Sequence, residues 1–342
     1  MRILVTGAAG FIGSNFVRYW LERHPDDHVV AYDLLTYAGN RESLPEHVPF
    51  VQGDIADDEL AEQTLRDEGI EVVVNFAAES HNSLAVVDPG RFFRTNVIGT
   101  QTMLEAARRA EIERFHHVST CEVYGDLPLD SDEVFTEETP YRPRTPYNAS
   151  KAGADHAVRA YFETYELPVT ITNCSNNYGP YQFPEKLIPL TILNALAGEP
   201  LPVYGRGENV RDWLYVEDHA AALVAVLERG RPGETYAIGG RSERRNLDVV
   251  HAVCDLVDEL RPDARFGSRR ALVTFGDDRP GHDLRYAIDP SKIERELGWR
   301  ASVSFEDGLR RTVMWYLDNA WWWTRVRSGV YRGERLGLAA RA

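Results

Sequence analysis

A glycine-rich turn near the amino terminus constrains the fold of this chain more than any other feature. Residues 2–6 form a short apolar run rich in β-formers, and Gly7, Gly10 and Gly13 follow it before a helical pattern begins. Glycines allow a tight turn and let the backbone approach a pyrophosphate, whose charge then lies at the amino end of the helix. Ordinary tight turns contain similar glycine triplets, so the assignment depends on the strands that follow.

The second predicted strand supports a dinucleotide site. Residues 29–32 are apolar and lead into Asp33, twenty residues after Gly13. A carboxylate at this point can accept hydrogen bonds from an adenosine ribose, and it repels a 2′-phosphate. The sequence therefore favours NAD over NADP as the cofactor.

The remaining pattern predicts an α/β fold, a doubly wound parallel Rossmann sheet with a smaller C-terminal α/β substrate lobe. Further strands are predicted at 50–51, 72–78, 115–119 and 169–174, with helical stretches between them. After about residue 180, proline and glycine punctuate the chain. Helices are predicted there near 186–197, 218–229, 246–260 and 305–318.

The predicted domains follow this change of pattern. We expect an NAD-binding Rossmann domain at 1–175, with returning segments from the C-terminal half of the chain, and a discontinuous nucleotide-sugar-binding lobe at 176–325. Residues 326–342 are expected to form a tail. The run 321–323, three tryptophans, is expected to pack at a closing helix.

Composition excludes several classes of partner. The net charge of −15 disfavours nucleic acid and anionic membranes, because each would approach a repelling field. Cys121, Cys174 and Cys254 are too few for a disulfide framework or a zinc cluster, so we expect no metal and a reducing, cytoplasmic location. The chain opens on a predicted buried strand, and no apolar run reaches membrane-span length, so neither a signal peptide nor a spanning helix is expected.

Residues 116–151 concentrate the reactive side chains. Tyr147 and Lys151 are four residues apart and would project from one face of a helix. An ammonium group beside a phenol stabilises the phenolate, so Tyr147 is a candidate base for removing a hydroxyl proton while hydride leaves the same carbon. The Tyr-x-x-x-Lys pattern is common by itself, but here it follows a nucleotide-binding strand order and a strand that ends in Ser119 and Thr120.

Together these features resemble the extended short-chain dehydrogenase/reductase superfamily, and within it the dTDP-glucose 4,6-dehydratase family, over nearly the whole chain. The segments that carry the resemblance are 6–14, 33–40, 77–81, 122–125, 147–151, 176–182, 184–189, 209–219 and 279–285. The glycine motif is common to the superfamily. Segments 33–40, 184–189 and 279–283 are much more specific.

The resemblance implies a reaction that begins with transient oxidation at C4 of a nucleotide sugar. Thr120 and Tyr147 would hold the 4-hydroxyl, Tyr147 would take its proton, and Lys151 would also contact the nicotinamide ribose. Glu122 would remove the C5 proton, an acid would protonate the departing C6 hydroxyl, and hydride would return to C6.

The resemblance also implies two sets of binding residues. The positions that match cofactor residues are Gly7, Gly10, Phe11, Ile12, Gly13, Asp33, Leu34, Leu35, Thr36, Asp54, Ile55, Phe76, Ala77, Ala78, Ser80, Thr95, Tyr147, Lys151 and Asn177. The positions that match substrate residues are Ser80, His81, Thr120, Asn176, Lys186, Leu187, Arg211, Asn246, Arg279 and His282. The basic members would meet an anionic ligand that the net charge repels.

Two departures from the family pattern face the expected sugar position. Cys121 stands where the family has its aspartic acid, and residues 82–85 read Asn-Ser-Leu-Ala where the family has Val-Asp-Arg-Ser. A thiol has an ordinary pKa of about 8.5 and so keeps a proton at neutral pH, but it is a weaker donor and acid than a neutral carboxyl group. Cys121 is therefore either a catalytic residue or a small buried hydrophobe; a covalent nucleophile is disfavoured.

The leading prediction is an NAD-dependent nucleotide-sugar dehydratase that acts on a dTDP- or UDP-hexose, with Thr120, Cys121, Glu122, Tyr147 and Lys151 as catalytic residues. One alternative returns hydride to C4, which gives a 4-epimerase or a 5,6-dehydratase. An alternative of another class is a non-catalytic protein that binds NAD and a nucleotide sugar. The resemblance also implies a homodimer joined through helices near 96–110 and 147–165.

Overall fold

Alternating strands and helices make up the described residues, 1–278 and 281–328 of a computed structural model. The strands are β1 Arg2–Thr6, β2 His28–Asp33, β3 Phe50–Gln52, β4 Val72–Asn75, β5 Arg114–Thr120, β6 Val169–Cys174, β7 Asn176–Tyr178, β8 Leu201–Tyr204, β9 Val210–Tyr215, β10 Thr235–Ile238, β11 Glu243–Arg245 and β12 Val273–Gly276. The helices are α1 Phe11–Arg23, α2 Asp58–Asp67, α3 Asn82–Val87, α4 Pro89–Phe93, α5 Thr100–Arg109, α6 Pro146–Tyr165, α7 Leu187–Ala197, α8 Val216–Arg229, α9 Asn246–Leu260, α10 Ser291–Leu297, α11 Phe305–Asp318 and α12 Ala320–Ser328. Shorter helical segments lie at Arg41–Ser43, Arg94–Gly99, Cys121–Tyr124 and Arg269–Leu272.

The main sheet has seven strands in the order β10, β6, β5, β4, β1, β2, β3. Each neighbouring pair is parallel, which confirms the predicted doubly wound Rossmann fold. The strand order reverses between β1 and β4. Ligands in such sheets bind in the crevice outside the carboxyl ends of the strands at that reversal, so the topology alone marks the place of a site.

Burial on both faces explains why β1 forms a central strand. Ile3, Leu4 and Val5 are each fully buried. Ile3 and Val5 belong to the apolar cluster that also contains α1 and α8 residues, whereas Leu4 belongs to the cluster on the other face of the sheet. A continuous apolar run suits a parallel strand covered by helices on both sides.

The smaller lobe combines a three-stranded sheet, β11-β9-β7, and a two-stranded sheet, β12-β8, with α7, α9 and α11. The last described helix, α12, packs against this lobe through Trp322, whose Nε1 also donates a hydrogen bond to Ser43 Oγ at 3.0 Å. Trp322 thus packs as predicted. Trp321 is 56% exposed, so the packing prediction does not hold for that residue.

Most predicted elements agree with the structure to within one or two residues. The exception is the predicted strand 72–78, which ends at Asn75 because residues 76–81 leave the sheet and line the crevice. The predicted set lacks β10, a strand from the C-terminal half that pairs with β6. Within the described residues, no helix combines the length and the apolar character needed to span a membrane.

Candidate active site

A cavity of about 340 Å³ lies at the strand reversal, within the roughly 300–1,000 Å³ range of small-molecule pockets. The glycine turn forms one wall. Gly7 has φ of 63°, and a Cβ atom added there would lie 2.7 Å from the backbone nitrogen of Ala77. Gly10 precedes α1 and has no side chain that could cap the first amide groups of that helix. These amides and the close backbone approach fit a pyrophosphate group.

Asp33 ends β2 and connects the glycine turn to the loop after β2. Its Oδ2 atom accepts a hydrogen bond from the Ala9 amide at 2.9 Å, and its Oδ1 atom accepts one from the Leu35 amide at 2.8 Å. Burial raises the pKa of Asp33, and the two backbone hydrogen bonds oppose that effect. A carboxylate at this strand end lines the cavity and fits the predicted ribose of NAD.

Most of the predicted cofactor residues, and several of the predicted substrate and catalytic residues, line this one cavity. Those residues are Gly7, Gly10, Phe11, Ile12, Gly13, Asp33, Leu34, Thr36, Asp54, Ile55, Phe76, Ala77, Ala78, Ser80, Thr95, Thr120, Glu122, Tyr147, Lys151, Asn176, Asn177 and Lys186. The other predicted residues within the described chain are not part of the lining: Leu35, His81, Cys121, Leu187, Arg211, Asn246 and His282. Arg279 lies outside the described residues.

Several lining residues were missed at the sequence level. They are Tyr32, Ala38, Gly39, Gly53, Glu79, Val118, Ser119, Cys174, Ser175, Gln182, Phe183 and Glu185. Ser119 and Cys174 end parallel strands, so the rule that ligands meet the carboxyl ends of strands could have identified them. Glu79 and Glu185 lie inside segments that the resemblance had already singled out.

The start of α6 positions Tyr147. Thr145 caps the helix by accepting a hydrogen bond from the Asn148 amide at 3.2 Å, and Pro146 occupies the first helical position. Tyr147 is 8% exposed, and burial raises the pKa of its phenol well above its usual value. A hydrogen bond with Thr120 acts in the opposite direction and lowers that pKa.

Lys151 lies one helical turn further along α6 and is buried. Its Nζ atom donates a hydrogen bond to the Val118 carbonyl at 2.9 Å and lies 3.3 Å from His117 Nε2. Burial lowers the pKa of Lys151, and the nearby Asp155 carboxylate opposes the effect. The β5 backbone therefore fixes the amine at the base of the cavity.

Buried polar groups behind Lys151 were not predicted from the sequence. His117 Nε2 lies 3.4 Å from Asp155 Oδ1, and burial lowers the pKa of His117 to about 4. Burial alone would raise the pKa of Asp155, but hydrogen bonding with His117 contributes to a net lowering. The pair thus places a neutral imidazole and a carboxylate next to the buried amine at neutral pH.

Glu122 lines the same cavity and lies in the short helical segment that follows β5. Thr120 Oγ1 accepts a hydrogen bond from the Glu122 amide at 3.3 Å. Asn82 Nδ2 donates a hydrogen bond to Glu122 Oε2 at 3.1 Å, and the hydroxyl of Tyr286 lies 3.4 Å from the same oxygen. A carboxylate held between these donors can act as a proton acceptor.

Cys121 points into an apolar cluster that also contains Val123, Phe135 and Tyr286, and it is 1% exposed. Burial raises the pKa of its thiol well above the usual value, and the nearby Glu122 carboxylate adds to this shift. The thiol therefore keeps its proton at neutral pH. A buried protonated thiol is a poor nucleophile and a weak acid.

Basic and acidic side chains lie at the cavity and near it. Lys186 Nζ lies 3.4 Å from Glu185, whose other carboxylate oxygen lies 3.6 Å from His81 Nε2. Arg211 is buried and donates a hydrogen bond to the Asp283 carbonyl at 2.8 Å. His282 Nδ1 lies 2.6 Å from Asp278. Lys186 lines the cavity and Arg211 does not; a diphosphate bound here would need cationic side chains of this kind.

Comparisons with known proteins agree with this geometry. Residues 4–312 match the family model described as GDP-mannose 4,6 dehydratase. The chain is 53% identical to a dTDP-glucose 4,6-dehydratase of Neisseria meningitidis serogroup B, with 98% of this chain and 99% of that protein covered.

Two solved structures show the same likeness. The structure of DesIV, a dTDP-glucose 4,6-dehydratase from Streptomyces venezuelae with NAD and TYD bound, has a TM-score of 0.88 and 49% identity, covering 95% of this chain and 100% of that one. A UDP-glucose 4-epimerase of Thermus thermophilus in complex with NAD has a TM-score of 0.85 and 32% identity, covering 93% and 100%.

Proposed function

Because the chain belongs to the dTDP-glucose 4,6-dehydratase family of the extended short-chain dehydrogenase/reductase superfamily, we propose that it is an NAD-dependent dehydratase that acts on dTDP-glucose. One observation supports the proposal most strongly. Thr120, Glu122, Tyr147 and Lys151 line the same cavity as the glycine turn and Asp33. The reacting carbon and the nicotinamide would meet between them.

In this proposal the glycine turn and Asp33 hold the adenosine half of NAD. Bound there, NAD would supply the acceptor for the C4 hydride and later its donor. Thr120 would hold the C4 hydroxyl, and Tyr147 would remove its proton. Lys151, anchored by the Val118 carbonyl, would provide the positive charge that favours the phenolate against the effect of burial.

Oxidation at C4 acidifies the hydrogen on C5, and Glu122 is the carboxylate placed to remove it. Asn82 holds one of its oxygens, which limits the directions from which the carboxylate can approach the sugar. Cys121 occupies the family's acid position, and its protonated thiol would be a weak donor to the departing C6 hydroxyl.

The nucleotide would lie along the lobe predicted at 176–325. Asn176 and Lys186 line the cavity, and Arg211 and His282 lie further out on the same lobe. Leu187 and Asn246 are further predicted partners in this lobe, and Arg279, which is also predicted, lies outside the described residues. We favour thymidine over uridine because the relatives at about half identity are named for dTDP-glucose.

The test of this function is to incubate the purified protein with dTDP-glucose that carries deuterium at C4, in parallel with UDP-glucose and UDP-N-acetylglucosamine. Loss of water with the label at C6 supports the 4,6-dehydratase. Loss of water with the label still at C4 would instead identify a 5,6-dehydratase, and unchanged mass with inverted C4 would identify an epimerase. Binding of NAD and nucleotide sugar with no turnover would favour the non-catalytic alternative.

We also propose a cytoplasmic homodimer. All three cysteines lie within the described residues and are buried and unpaired, as expected in a reducing compartment. The dimer would form through α5 and α6, near which Phe93, Ile98 and Tyr165 expose apolar surface. Light scattering on the eluting protein would give about twice the 38.7 kDa chain mass for a dimer.

A further inference from the structure

A carboxyl group, a phenol and a carboxylate lie in a row beside the catalytic end of the cavity. Asp283 Oδ2 is in close hydrogen-bond contact with the hydroxyl of Tyr286. The same hydroxyl lies 3.4 Å from Glu122 Oε2. Tyr286 therefore connects Asp283 to the base that acts at C5 in the proposed reaction.

Asp283 differs from the other buried carboxyl group near Cys121. Asp212 accepts backbone hydrogen bonds with both oxygens, from Gly240 at 3.0 Å and from Ser242 at 2.7 Å, so donors occupy both of its oxygens. By contrast, Asp283 Oδ1 lies 3.4 Å from Arg144 Nη1 and accepts no hydrogen bond from any residue that the structure describes. Asp283 Oδ2 is the oxygen in contact with the Tyr286 hydroxyl, so a proton shared with Tyr286 lies on that side of the carboxyl group.

The charges around Asp283 decide its protonation. Burial raises its pKa to about 6, and the Glu122 and Asp126 carboxylates act in the same direction. Opposing them, the Tyr286 hydroxyl lowers the pKa, and so does Arg144, whose Nη1 lies 3.4 Å from Asp283 Oδ1. Near pH 6 both forms are populated, as a group that exchanges protons requires.

The proposed reaction requires a proton donor for the C6 hydroxyl, and Cys121 is a poor one. The C6 hydroxyl must leave as water, so it must receive a proton as the C6–O bond breaks. The resemblance implies that the family's carboxylic acid is absent at position 121, and the thiol there is buried in an apolar cluster. Tyr286 belongs to the same cluster, but its hydroxyl contacts both Glu122 and Asp283. Another proton source next to Glu122 would restore the missing step.

We propose that Tyr286 protonates the leaving C6 hydroxyl and that Asp283 resupplies Tyr286, an inference that rests on the proposed dehydratase function. Glu122 takes the C5 proton, and the C5–H electron pair forms the C5–C6 double bond. The C6–O pair leaves with the oxygen, which accepts the Tyr286 proton and departs as water. Asp283 passes its proton to Tyr286 and becomes a carboxylate.

Geometry supports each transfer. The Tyr286 hydroxyl is close to the base assigned to C5, and C6 is the adjacent carbon. In the structure the Tyr286 hydroxyl donates a hydrogen bond to Asp283 Oδ2. In the proposed relay a protonated Asp283 would instead donate to the Tyr286 oxygen, which would free the phenol proton for the sugar. The Asp283 side chain is only 1% exposed, and Arg144, whose Nη1 lies 3.4 Å from Asp283 Oδ1, is 46% exposed, so a proton returning to Asp283 would have to pass by Arg144. Tyr286 is thus a catalytic residue, and Asp283 is a positioning residue that acts through it.

The experiment compares wild type, Asp283→Asn, Cys121→Asp and the double variant on dTDP-glucose. Formation of the dehydrated product is followed by mass, and C4 oxidation is followed by absorbance in a single turnover. We expect Asp283→Asn to slow water loss about 100-fold while C4 oxidation stays within about threefold. In the Cys121→Asp background the same change should cost less than about threefold, because a carboxyl group at 121 supplies the proton directly.

A pH profile and an infrared spectrum separate a proton source from a merely structural residue. Water loss by wild type should decline above pH 6, and this limb should vanish in Asp283→Asn. The wild-type spectrum should contain a carboxylic acid band that titrates near pH 6 and is missing from the variant. The exposed Asp132→Asn is the control, because it removes a carboxylate outside the proposed relay; it should stay within about threefold of wild type.

Two results would overturn the relay alone. One is product formation by Asp283→Asn at the wild-type rate. The other is an equal loss of water-elimination rate when Asp283→Asn is made in wild type and in Cys121→Asp, with the decline above pH 6 still present in the variant. Thermal unfolding of each variant shows whether a loss comes from misfolding, and Tyr286→Phe, which keeps the ring, must then reproduce the loss of water elimination. A wild type that oxidises C4 but never releases water would overturn the relay and the proposed function together.

Discussion

The side-chain amide of Asn82 donates a hydrogen bond to Glu122 Oε2 at 3.1 Å, so the first residue of α3 holds the candidate base. Thr145 Oγ1 in turn donates a hydrogen bond to Asn82 Oδ1 at 3.0 Å. The resemblance implies that position 82 is one of those at which the chain departs from the family pattern. Asn82 contacts the base, so it is a candidate positioning residue for C5 deprotonation.

Replacing Asn82 with valine, the family residue, should leave Glu122 with one donor fewer. A hydrogen bond to a charged group contributes about 1.5–3 kcal/mol, so we expect C5 deprotonation to slow by about tenfold or more. The measurement is uptake of solvent deuterium at C5 during turnover. Thr145→Ser, which keeps the hydroxyl that supports Asn82 and caps α6, is the control and should behave as wild type. An unchanged exchange rate in Asn82→Val would show that the amide does not position the base.

Tyr147→Phe should abolish C4 oxidation while leaving the fold intact. Removing the group that accepts the hydroxyl proton should slow this step by about 10²–10⁴-fold, whereas NAD affinity should stay within about threefold. Stopped-flow absorbance on dTDP-glucose and a separate NAD titration measure the two quantities. Tyr161→Phe makes the same change further along α6, where the hydroxyl contacts Gln101, and should retain full activity. Retention of C4 oxidation in Tyr147→Phe would remove Tyr147 from the catalytic set.

Gly7→Ala should destabilise the protein and weaken NAD binding. Gly7 has a positive φ, and an alanine Cβ would lie 2.7 Å from the Ala77 nitrogen, so the turn would have to open. We expect a loss of about 1–3 kcal/mol in the free energy of unfolding and at least a tenfold weaker NAD affinity. Gly267→Ala is the control, because a Cβ there meets nothing within 4 Å in the described structure. Equal effects of the two substitutions would contradict a close backbone approach at Gly7.

His116→Gln should flatten the acid limb of the stability curve. Burial lowers the pKa of His116 to about 3, below the ordinary 6.5, and its ring nitrogens contact Thr170 and Thr172. As the pH falls below 6.5 the unfolded chain takes up a proton that the folded histidine does not, so wild type loses stability toward pH 3. The variant should lose up to about 1.4 kcal/mol less per pH unit in that window.

The measurement for His116 is thermal unfolding of wild type and variant from pH 7 to 4. The difference between the two curves is needed because Asp212 and Asp283 affect stability with the opposite sign. Their pKa values are raised to about 6, so the folded state retains their protons more tightly than the unfolded chain does. Their contribution to the free energy of unfolding is therefore present below about pH 4 and is lost as the pH rises through 6. The exposed His47→Gln is the control. A difference curve that does not change with pH would mean that His116 is protonated in the folded protein.

Local patterns were sufficient for most of the fold. Apolar runs, glycine turns and helical periodicity depend on neighbours in sequence, so they predict β1, α1 and α9 to within a residue or two. The short strand β10 could not be recognised this way, since it becomes a strand by pairing with β6 from another part of the chain.

The cofactor half of the site could also be predicted from the sequence, because its residues lie in one continuous segment. Gly7, Gly10, Gly13 and Asp33 occur within one strand-helix-strand unit and line one wall of the cavity. The catalytic half is different. Asn82, Glu122 and Tyr286 come from three distant segments, and no spacing rule connects them.

The sequence by itself determined the Rossmann architecture, the preference for NAD and the pair Tyr147 and Lys151, since each follows from spacing within one element or one unit. Only the tertiary structure decided the surroundings of Glu122 and Cys121. It placed the thiol in an apolar cluster and brought Tyr286, and with it Asp283, to Glu122. Protonation depends on burial and on through-space neighbours, and those are set by contacts between segments that lie more than 100 residues apart in the chain.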